Sequence, residues 1–258
     1  MRSRALTALM LFYIVLWIGG IVTYSLSTAP SPGDGWTAAA FLWVAALISL
    51  LSSERSKAMY LGVASVAAFA SEIVGVTTGL VFGSYQYTGA LGFALFNVPI
   101  AITAAWIILL AYVWHSISQL KLGVFGGAIV GAAWMTAIDL VIDPLAAGPL
   151  SYWHWQGGGW YYGIPLSNFA GWFGISFVLL LFLHRRPLQS AGSKRIGLSV
   201  ITFFTFVAAV NGLWMPALIG AALAMFDLRL FGAEWRRTAA DARSLVSQLQ
   251  GRGLKHEG

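Results

Sequence analysis

Three carboxylates lie inside otherwise apolar runs of this sequence, and they are the side chains best able to do chemistry. Glu72 lies in one run, and Asp139 and Asp143 lie four positions apart in another. That spacing places both aspartates on one face of a helix. Two carboxylates in a low-dielectric site cannot both ionise at low cost, so we expect one to keep a proton and serve as a general acid. Purely structural roles stay open: Glu72 or Asp139 could tie helices together, and Asp143, before Pro144, could simply end its helix.

Further polar and aromatic side chains lie at the same ends of the apolar runs. The tyrosines and amides among them are Tyr85, Tyr87, Asn97 and Asn168. The segment 151–163, SYWHWQGGGWYYG, adds His154 and six aromatic residues. An interfacial belt accounts for any one of these aromatic residues. An uncharged group this rich in tryptophan and tyrosine is more typical of a lid over an apolar cavity.

The elements that position these residues are predicted to be membrane-spanning helices. Of 258 residues, 59% are hydrophobic and only 9% are charged, too little polar surface for a soluble globule of this length. Apolar runs of about 20 residues recur, each long enough to cross a bilayer as a helix. The sequence therefore predicts an all-α polytopic bundle. The predicted spans are 5–26, 36–52, 59–82, 92–114, 121–143, 164–184 and a long stretch at 196–226.

The distribution of lysine and arginine predicts the topology. Basic residues occupy the N-terminus and every second loop, whereas loops 27–35, 83–91 and 144–163 have none. The positive-inside rule then places the N-terminus in the cytoplasm. The stretch 196–226 forms either a tight hairpin near Asn211 or one helix kinked at Pro216, which gives eight or seven spans. We expect a transmembrane domain at 1–230 and a basic tail at 231–258, cytoplasmic or lying on the membrane surface.

Glycine spacing predicts close helix packing near the carboxylates. Gly75 and Gly79 share a face with Glu72, and a ladder of three glycines at 123, 127 and 131 runs along the helix that carries Asp139. Small residues at this spacing let membrane helices approach closely. We therefore expect the third and fifth helices to bring Glu72 toward Asp139.

The composition excludes several chemistries. The chain has no cysteine, which excludes disulfides, thiolate catalysis and iron–sulfur clusters. Every lysine lies in a loop or the tail, and no two histidines are placed to face each other as haem ligands. No phosphate-binding glycine loop occurs, and the basic residues flank membrane segments, so membrane lipid rather than nucleic acid is the expected partner. We expect neither a metal nor a cofactor.

Three stretches together resemble a known family. They are EIVGVTTGLVFGSYQYT at 72–88, DLVIDP at 139–144, and WHW at 153–155 followed by YGIPLSNFAGW at 162–172. These motifs resemble the membrane-bound carotenoid biosynthesis proteins, which include the carotenoid 1′,2′-hydratases and bisanhydrobacterioruberin hydratase. The likeness covers about residues 70–175.

The resemblance implies a cofactor-independent hydratase, a hydro-lyase in the cell membrane. It would add water across the terminal C1′=C2′ double bond of a linear carotenoid and form a tertiary alcohol. Glu72 or Asp139 would be the acid, and Asp143 and Asn168 would handle the water. The remaining expected substrate contacts are Tyr85, Tyr87, Asn97, Trp153, His154, Trp155, Tyr162 and Trp172. A place in this pathway also allows association with other carotenoid enzymes.

Other functions fit the same residues. A carotenoid end-group cyclase also begins with protonation but closes a ring without water. A membrane transporter or lipid-binding protein would use the acids to carry protons or bind a cation, although the sequence shows neither internal repeats nor paired broken helices. A subunit that only scaffolds other pathway enzymes is a further alternative.

Overall fold

Helices dominate the chain, as the apolar runs predict. The computed structural model describes residues 2–26, 35–230 and 232. Its helices are α1 (Arg2–Leu26), α2 (Gly35–Leu51), α3 (Arg55–Thr78), α4 (Ala101–Gln119), α5 (Val124–Ala147), α6 (Leu166–Leu183), α7 (Ala191–Val210) and a further helix at 214–230, here α8. Within these residues, six helices are long and apolar enough to cross a membrane: α1 and α3 to α7. The prediction of an all-α polytopic membrane protein is confirmed.

The residues fall into two compact units, the first ending at Gly220 and the second beginning at Ala221. The first unit contains α1 to α7, the strands and every predicted site residue. The second unit contributes the helical residues 221–230 to the described part of the chain. Apart from residue 232, the predicted tail at 231–258 lies outside the described residues.

The third helix ends four residues earlier than predicted. Gly79 adopts a left-handed conformation, with a φ of 71°, and its N–H donates to the carbonyl of Gly75. Glycine reaches this conformation at no steric cost and is the usual residue just past a helix end. The chain therefore leaves the helix at Thr78 and turns back over the bundle.

The predicted start of the fourth helix at 92 is wrong, because α4 begins at Ala101. The preceding residues form β1 (Tyr85–Tyr87), a short 3-10 turn (Gly89–Leu91), β2 (Ala94–Leu95) and β3 (Val98–Pro99). Strands β2 and β3 pair as a hairpin whose two turn residues, Phe96 and Asn97, both have positive φ. This turn geometry matches the twist of paired strands. The apolar composition of 91–100 resembles that of a helix and conceals the hairpin.

The final apolar stretch forms two helices. Helix α7 ends at Val210, Gly212 has a φ of 73°, and the next helix begins at residue 214. The break therefore precedes Pro216, which lies in the first turn of α8, where a missing N–H costs no hydrogen bond. Of the two predicted forms, the structure has two helices with a break near Asn211, not one helix kinked at Pro216.

Helix α4 lies at the centre of the bundle and contacts α2, α3, α5, α6 and α7. Its side chains are buried along most of its length, including Trp106, Tyr112 and Trp114. The glycines of α5 pack against a different helix from the one predicted. A Cβ on Gly127 would meet His184, and one on Gly131 would meet Leu180, so this face packs against α6 rather than α3.

Gly197 should be essential for the contact between α7 and α4. A Cβ on Gly197 would come within 2.2 Å of Tyr112 Cβ, whereas one on Gly126 would meet no atom within 4 Å. We expect Gly197→Ala to lower the free energy of unfolding by about 1–3 kcal/mol, the usual cost of overpacking. Gly126→Ala, the control, should be neutral or stabilising. Thermal unfolding of both variants in detergent is the measurement, and equal midpoints would contradict this packing.

Candidate active site

A two-stranded ribbon closes over the ends of the helices that carry the three carboxylates. Strand β4 (Trp153–Trp155) pairs antiparallel with β1, with Tyr85 opposite Trp155 and Tyr87 opposite Trp153. Side chains alternate between the two faces of a strand. The four aromatic side chains therefore share one face of this ribbon, while Gln86 and His154, paired between them, lie on the exposed outer face.

Strand β1 supplies two donors to Glu72. The hydroxyls of Tyr85 and Tyr87 donate to Glu72 Oε2 at 2.6 and 3.0 Å. Burial, reinforced by the Glu72 charge, raises the pKa of both phenols well above the usual value. They therefore remain protonated donors. A third donor, Trp106 Nε1 on α4, reaches Glu72 Oε1 at 3.2 Å.

Strand β4 supplies two donors to Asp143. The indole N–H groups of Trp153 and Trp155 donate to Asp143 Oδ1 at 2.7 and 3.1 Å. On the other side, the amide nitrogen of Asn168 is 2.7 Å from Asp143 Oδ2 and 2.7 Å from Asp139 Oδ2. Asn168 thus joins the two buried aspartates, one turn apart on α5, into a single polar unit.

Asn168 takes its position from the start of α6. Pro165 is the N-cap of this helix and has an extended backbone, and the N–H of Asn168 donates to the Pro165 carbonyl at 3.0 Å. The side chain of Asn168 is 2% exposed, so its amide is held between α5 and α6 rather than in water. Both amide hydrogens are directed to carboxylates.

Because of Pro144, the carbonyl of Leu140, between the two aspartates in the sequence, has no hydrogen bond from the helix backbone. A proline inside a helix removes the bond to the carbonyl four residues earlier, which here is Leu140. The hydroxyl of Tyr161 donates to that carbonyl at 2.8 Å. Burial raises the pKa of Tyr161, which keeps its proton available for this bond. The loop after β4 is therefore anchored to α5 between Asp139 and Asp143.

The three carboxylates and the ribbon surround a cavity of about 80 Å³. A cavity volume of roughly 10–15 Å³ is enough to hold one water molecule. This one can therefore take a small branched hydrocarbon group together with water. Its other walls are apolar or aromatic side chains, among them Phe82, Ile102 and Ile142. Among the described residues, no three His, Asp or Glu side chains converge in a way that would hold a metal ion.

Aromatic rings form much of the cavity wall. Trp106 stacks on Trp172 with centroids 4.4 Å apart and planes at 14°. Tyr85 and Trp155 are 4.9 Å apart across the ribbon. The π faces of aromatic rings attract positive charge, and three carboxylates line the same cavity, so the lining suits a cation.

Nine of the twelve predicted site residues line this one cavity. They are Glu72, Tyr85, Tyr87, Asp139, Asp143, Trp153, Trp155, Asn168 and Trp172. They come from α3, β1, α5, β4 and α6, segments up to 100 residues apart in the sequence (72 to 172).

The other three predicted residues lie away from the cavity. Asn97 is exposed in the β2–β3 turn, not at the start of a helix. His154 is on the outer face of the ribbon because it alternates with Trp153 and Trp155. Tyr162 is 44% exposed and lies, with a positive φ, in a tight turn closed by the hydrogen bond from the Ile164 N–H to the Tyr161 carbonyl.

Two hydrogen-bond donors at the site, Trp106 and Tyr161, were not predicted from the sequence. Trp106 lies in the middle of an apolar helix, where a tryptophan is indistinguishable from core. Tyr161 was treated only as part of an aromatic loop. Pro144 inside a helical run does signal an unpaired carbonyl at Leu140, but it does not identify the donor that fills it.

The fold and this cavity define a polytopic α-helical membrane protein with a buried, aromatic-walled carboxylate site. A family model described as carotenoid biosynthesis protein matches residues 32–226. The chain belongs to this family, as its motifs suggest, and its role is in carotenoid biosynthesis at a membrane. No curated protein and no solved structure matches the chain significantly.

Tyr161→Phe should destabilise α5, because it leaves the Leu140 carbonyl without a donor. An unsatisfied buried acceptor costs about 1–3 kcal/mol. Tyr162→Phe is the matched control, since the neighbouring ring is exposed. Unfolding midpoints in detergent and amide hydrogen exchange around 140–144 are the measurements. Identical behaviour of the two variants would show that the Tyr161 hydroxyl does not hold this helix.

Proposed function

We propose that this protein is a carotenoid hydratase that adds water across the terminal C1′=C2′ double bond of a linear carotenoid. One observation carries the proposal. Asp139 and Asp143, bridged by the amide of Asn168, face an aromatic cavity that can take an apolar end group and water. An acid, a base and an apolar cavity are what this reaction needs from the protein.

The donors around each carboxylate distinguish their roles. Asp143 accepts three hydrogen bonds, from Trp153, Trp155 and Asn168, and these stabilise its anion. Glu72 also accepts three, from the hydroxyls of β1 and from α4. Asp139 receives one, from Asn168. Asp139 is therefore the carboxyl that we assign as the proton donor, while Asp143 and Glu72 act as anions.

The reaction then proceeds in two steps. The Asp139 carboxyl donates its proton to C2′ as the π electrons form the new C–H bond, which leaves a tertiary cation at C1′. The oxygen of a water molecule, held by Asp143 and Asn168, bonds to C1′. The Asp143 carboxylate takes a proton from that water, and the proton returns to Asp139 to begin the next cycle. One water is consumed for each alcohol formed.

The cavity stabilises the cation between these steps. Glu72 is a buried carboxylate of the cavity wall, and its three donors stabilise it as an anion. Its role is electrostatic. The aromatic rings that line the cavity, Trp155 and Trp172 among them, would add cation–π attraction, which is worth more in a dry site than in water.

The distribution of lysine and arginine supports a location of the candidate site at the outer face of the cell membrane. Helix α3 begins at Arg55 and carries Glu72 near its other end, and α5 follows Lys121 and carries its aspartates near the far end. The site thus lies at the uncharged ends of the helices. The positive-inside rule places those ends away from the cytoplasm.

Asp139→Asn should lower hydration by about 10²–10⁴-fold, because the amide cannot protonate C2′. Glu72→Gln should also lower the rate, through loss of the anion that faces the cation. Glu54→Gln is the control, since Glu54 is an exposed carboxylate at the start of the same helix as Glu72. Pigments extracted from cells that make a linear carotenoid and each variant are measured by mass.

The product mass decides between the rival functions. A product heavier by one water supports hydration, and an isomer of unchanged mass would show cyclisation instead. Full activity in Asp139→Asn would defeat the assignment of the acid. An unchanged pigment with wild-type protein would favour the transporter, lipid-binding or scaffold alternatives.

Trp153→Phe should slow hydration by about tenfold to a hundredfold, the worth of a hydrogen bond to a charged group. This variant keeps an aromatic wall and removes the N–H that donates to Asp143. His154→Phe, on the outer face of the same strand, should leave the rate unchanged. Comparable losses in both variants would mean that the ribbon matters only as a scaffold.

A further inference from the structure

Two further cavities form a row with the carboxylate cavity. The middle cavity, of about 60 Å³, shares five lining residues with the carboxylate cavity: Ile102, Ala105, Leu109, Ile142 and Trp153. The outer cavity, of about 310 Å³, shares Leu42, Tyr152 and Phe204 with the middle one. The carboxylate and outer cavities have no lining residue in common. The order along the row is therefore carboxylate, middle and outer.

The middle cavity is small and apolar. Apart from the tyrosine at its outer end and the tryptophan of β4, its walls are aliphatic or phenyl side chains. Ala105, on the central helix α4, lines both the middle cavity and the carboxylate cavity. A small side chain at that point leaves the two spaces adjacent.

The outer cavity lies between α1, α2 and α7. Apolar residues such as Leu16, Ala38 and Phe203 make most of its wall. Polar groups are confined to Thr23, Thr37 and the paired hydroxyls of Tyr24 and Tyr152, which are 3.1 Å apart. Gly19 also lines this space, and a Cβ there would meet no atom within 4 Å.

We propose that the row of cavities binds the polyene chain of the carotenoid, with its reacting end group at the carboxylates and its conjugated chain running past Ala105 into the outer cavity. This inference rests on the proposed function, because the carboxylate cavity alone is too small for more than an end group. A linear, rigid, apolar molecule matches a row of apolar spaces, whereas a compact substrate would leave the outer two empty.

On this proposal, the outer cavity makes binding depend on the length of the substrate. A short isoprenoid with the same end group would reach only the carboxylate and middle cavities. A chain of eight isoprene units would extend beyond them and contact α1. Helix α1 lies outside the residues that the family model matches, 32–226, so this wall is contributed by a part of the chain that the family likeness does not cover.

Bulky substitutions that fill the outer cavity should weaken the binding of long substrates and leave the binding of short ones unchanged. Gly19→Phe projects a ring into the cavity from α1, and Ala38→Phe does so from α2 should the first variant fail to fold. Gly62→Phe is the control, because Gly62 has equal open space but lines none of the three cavities. Purified protein is titrated with an eight-isoprene acyclic carotenoid, detected by quenching of tryptophan fluorescence. A four-isoprene hydrocarbon with the same end group is measured by displacement.

We expect Gly19→Phe and Ala38→Phe to bind the long carotenoid about tenfold more weakly, a change of about 1.4 kcal/mol. Their affinity for the short hydrocarbon should stay within about twofold of wild type, since its cavities are untouched. Gly62→Phe should change neither affinity. Unchanged binding of the long carotenoid, or equal losses for both lengths, would overturn the inference.

The hydration assay keeps this inference separate from the proposed function. Wild-type protein that binds long carotenoid in a length-selective manner but forms no alcohol would refute the hydratase and leave the cavity assignment standing. Conversely, Gly19→Phe that binds and hydrates the long carotenoid normally would refute the cavity assignment while hydration stands.

Discussion

The site depends on one interaction: aromatic N–H and O–H groups on one face of a two-stranded ribbon donate to carboxylates that the helices bury. A buried carboxylate without donors is very unfavourable. The β1–β4 ribbon supplies four such donors in register, two for Glu72 and two for Asp143. Because each donor also carries an aromatic ring, the same side chains that satisfy the acids make the wall of the cavity.

The backbone irregularities of the structure serve this interaction. Gly79 ends α3 early enough for the chain to return over the site as β1. Pro144 leaves the Leu140 carbonyl open, and Tyr161 binds it, which fixes the loop after β4 to α5. A regular helix at either point would separate the ribbon from the carboxylates. Both deviations are local in sequence, yet they set contacts between distant elements.

The helices and the burial of the three carboxylates could be predicted from the sequence, because both signals lie within short stretches of the chain. Apolar runs of bilayer length and acids within them can be read residue by residue. The ribbon could not be read this way. Its strands are three residues each and 68 positions apart, from 85 to 153, and only their pairing shows that Trp153 faces inward and His154 outward. Apolar composition likewise concealed the hairpin that holds Asn97 and the donor role of Trp106.

The unequal donors around the acids connect this architecture to chemistry. If all three carboxylates were equally satisfied, each would be an anion and none would protonate an alkene. The ribbon serves Glu72 and Asp143, whereas Asp139, one turn deeper along α5, receives only the amide of Asn168. In the proposed reaction, Asp143 and Glu72 would be the stabilised anions and Asp139 the acid. A cation formed in the cavity would meet the negative charge of Glu72 and the aromatic rings of the wall, and Asp143 and Asn168 would hold the water that attacks it. This arrangement supports the proposal of hydration over ring closure, because Asp143 and Asn168 could hold a nucleophile at the reacting carbon, whereas a cyclase must keep water away from the cation.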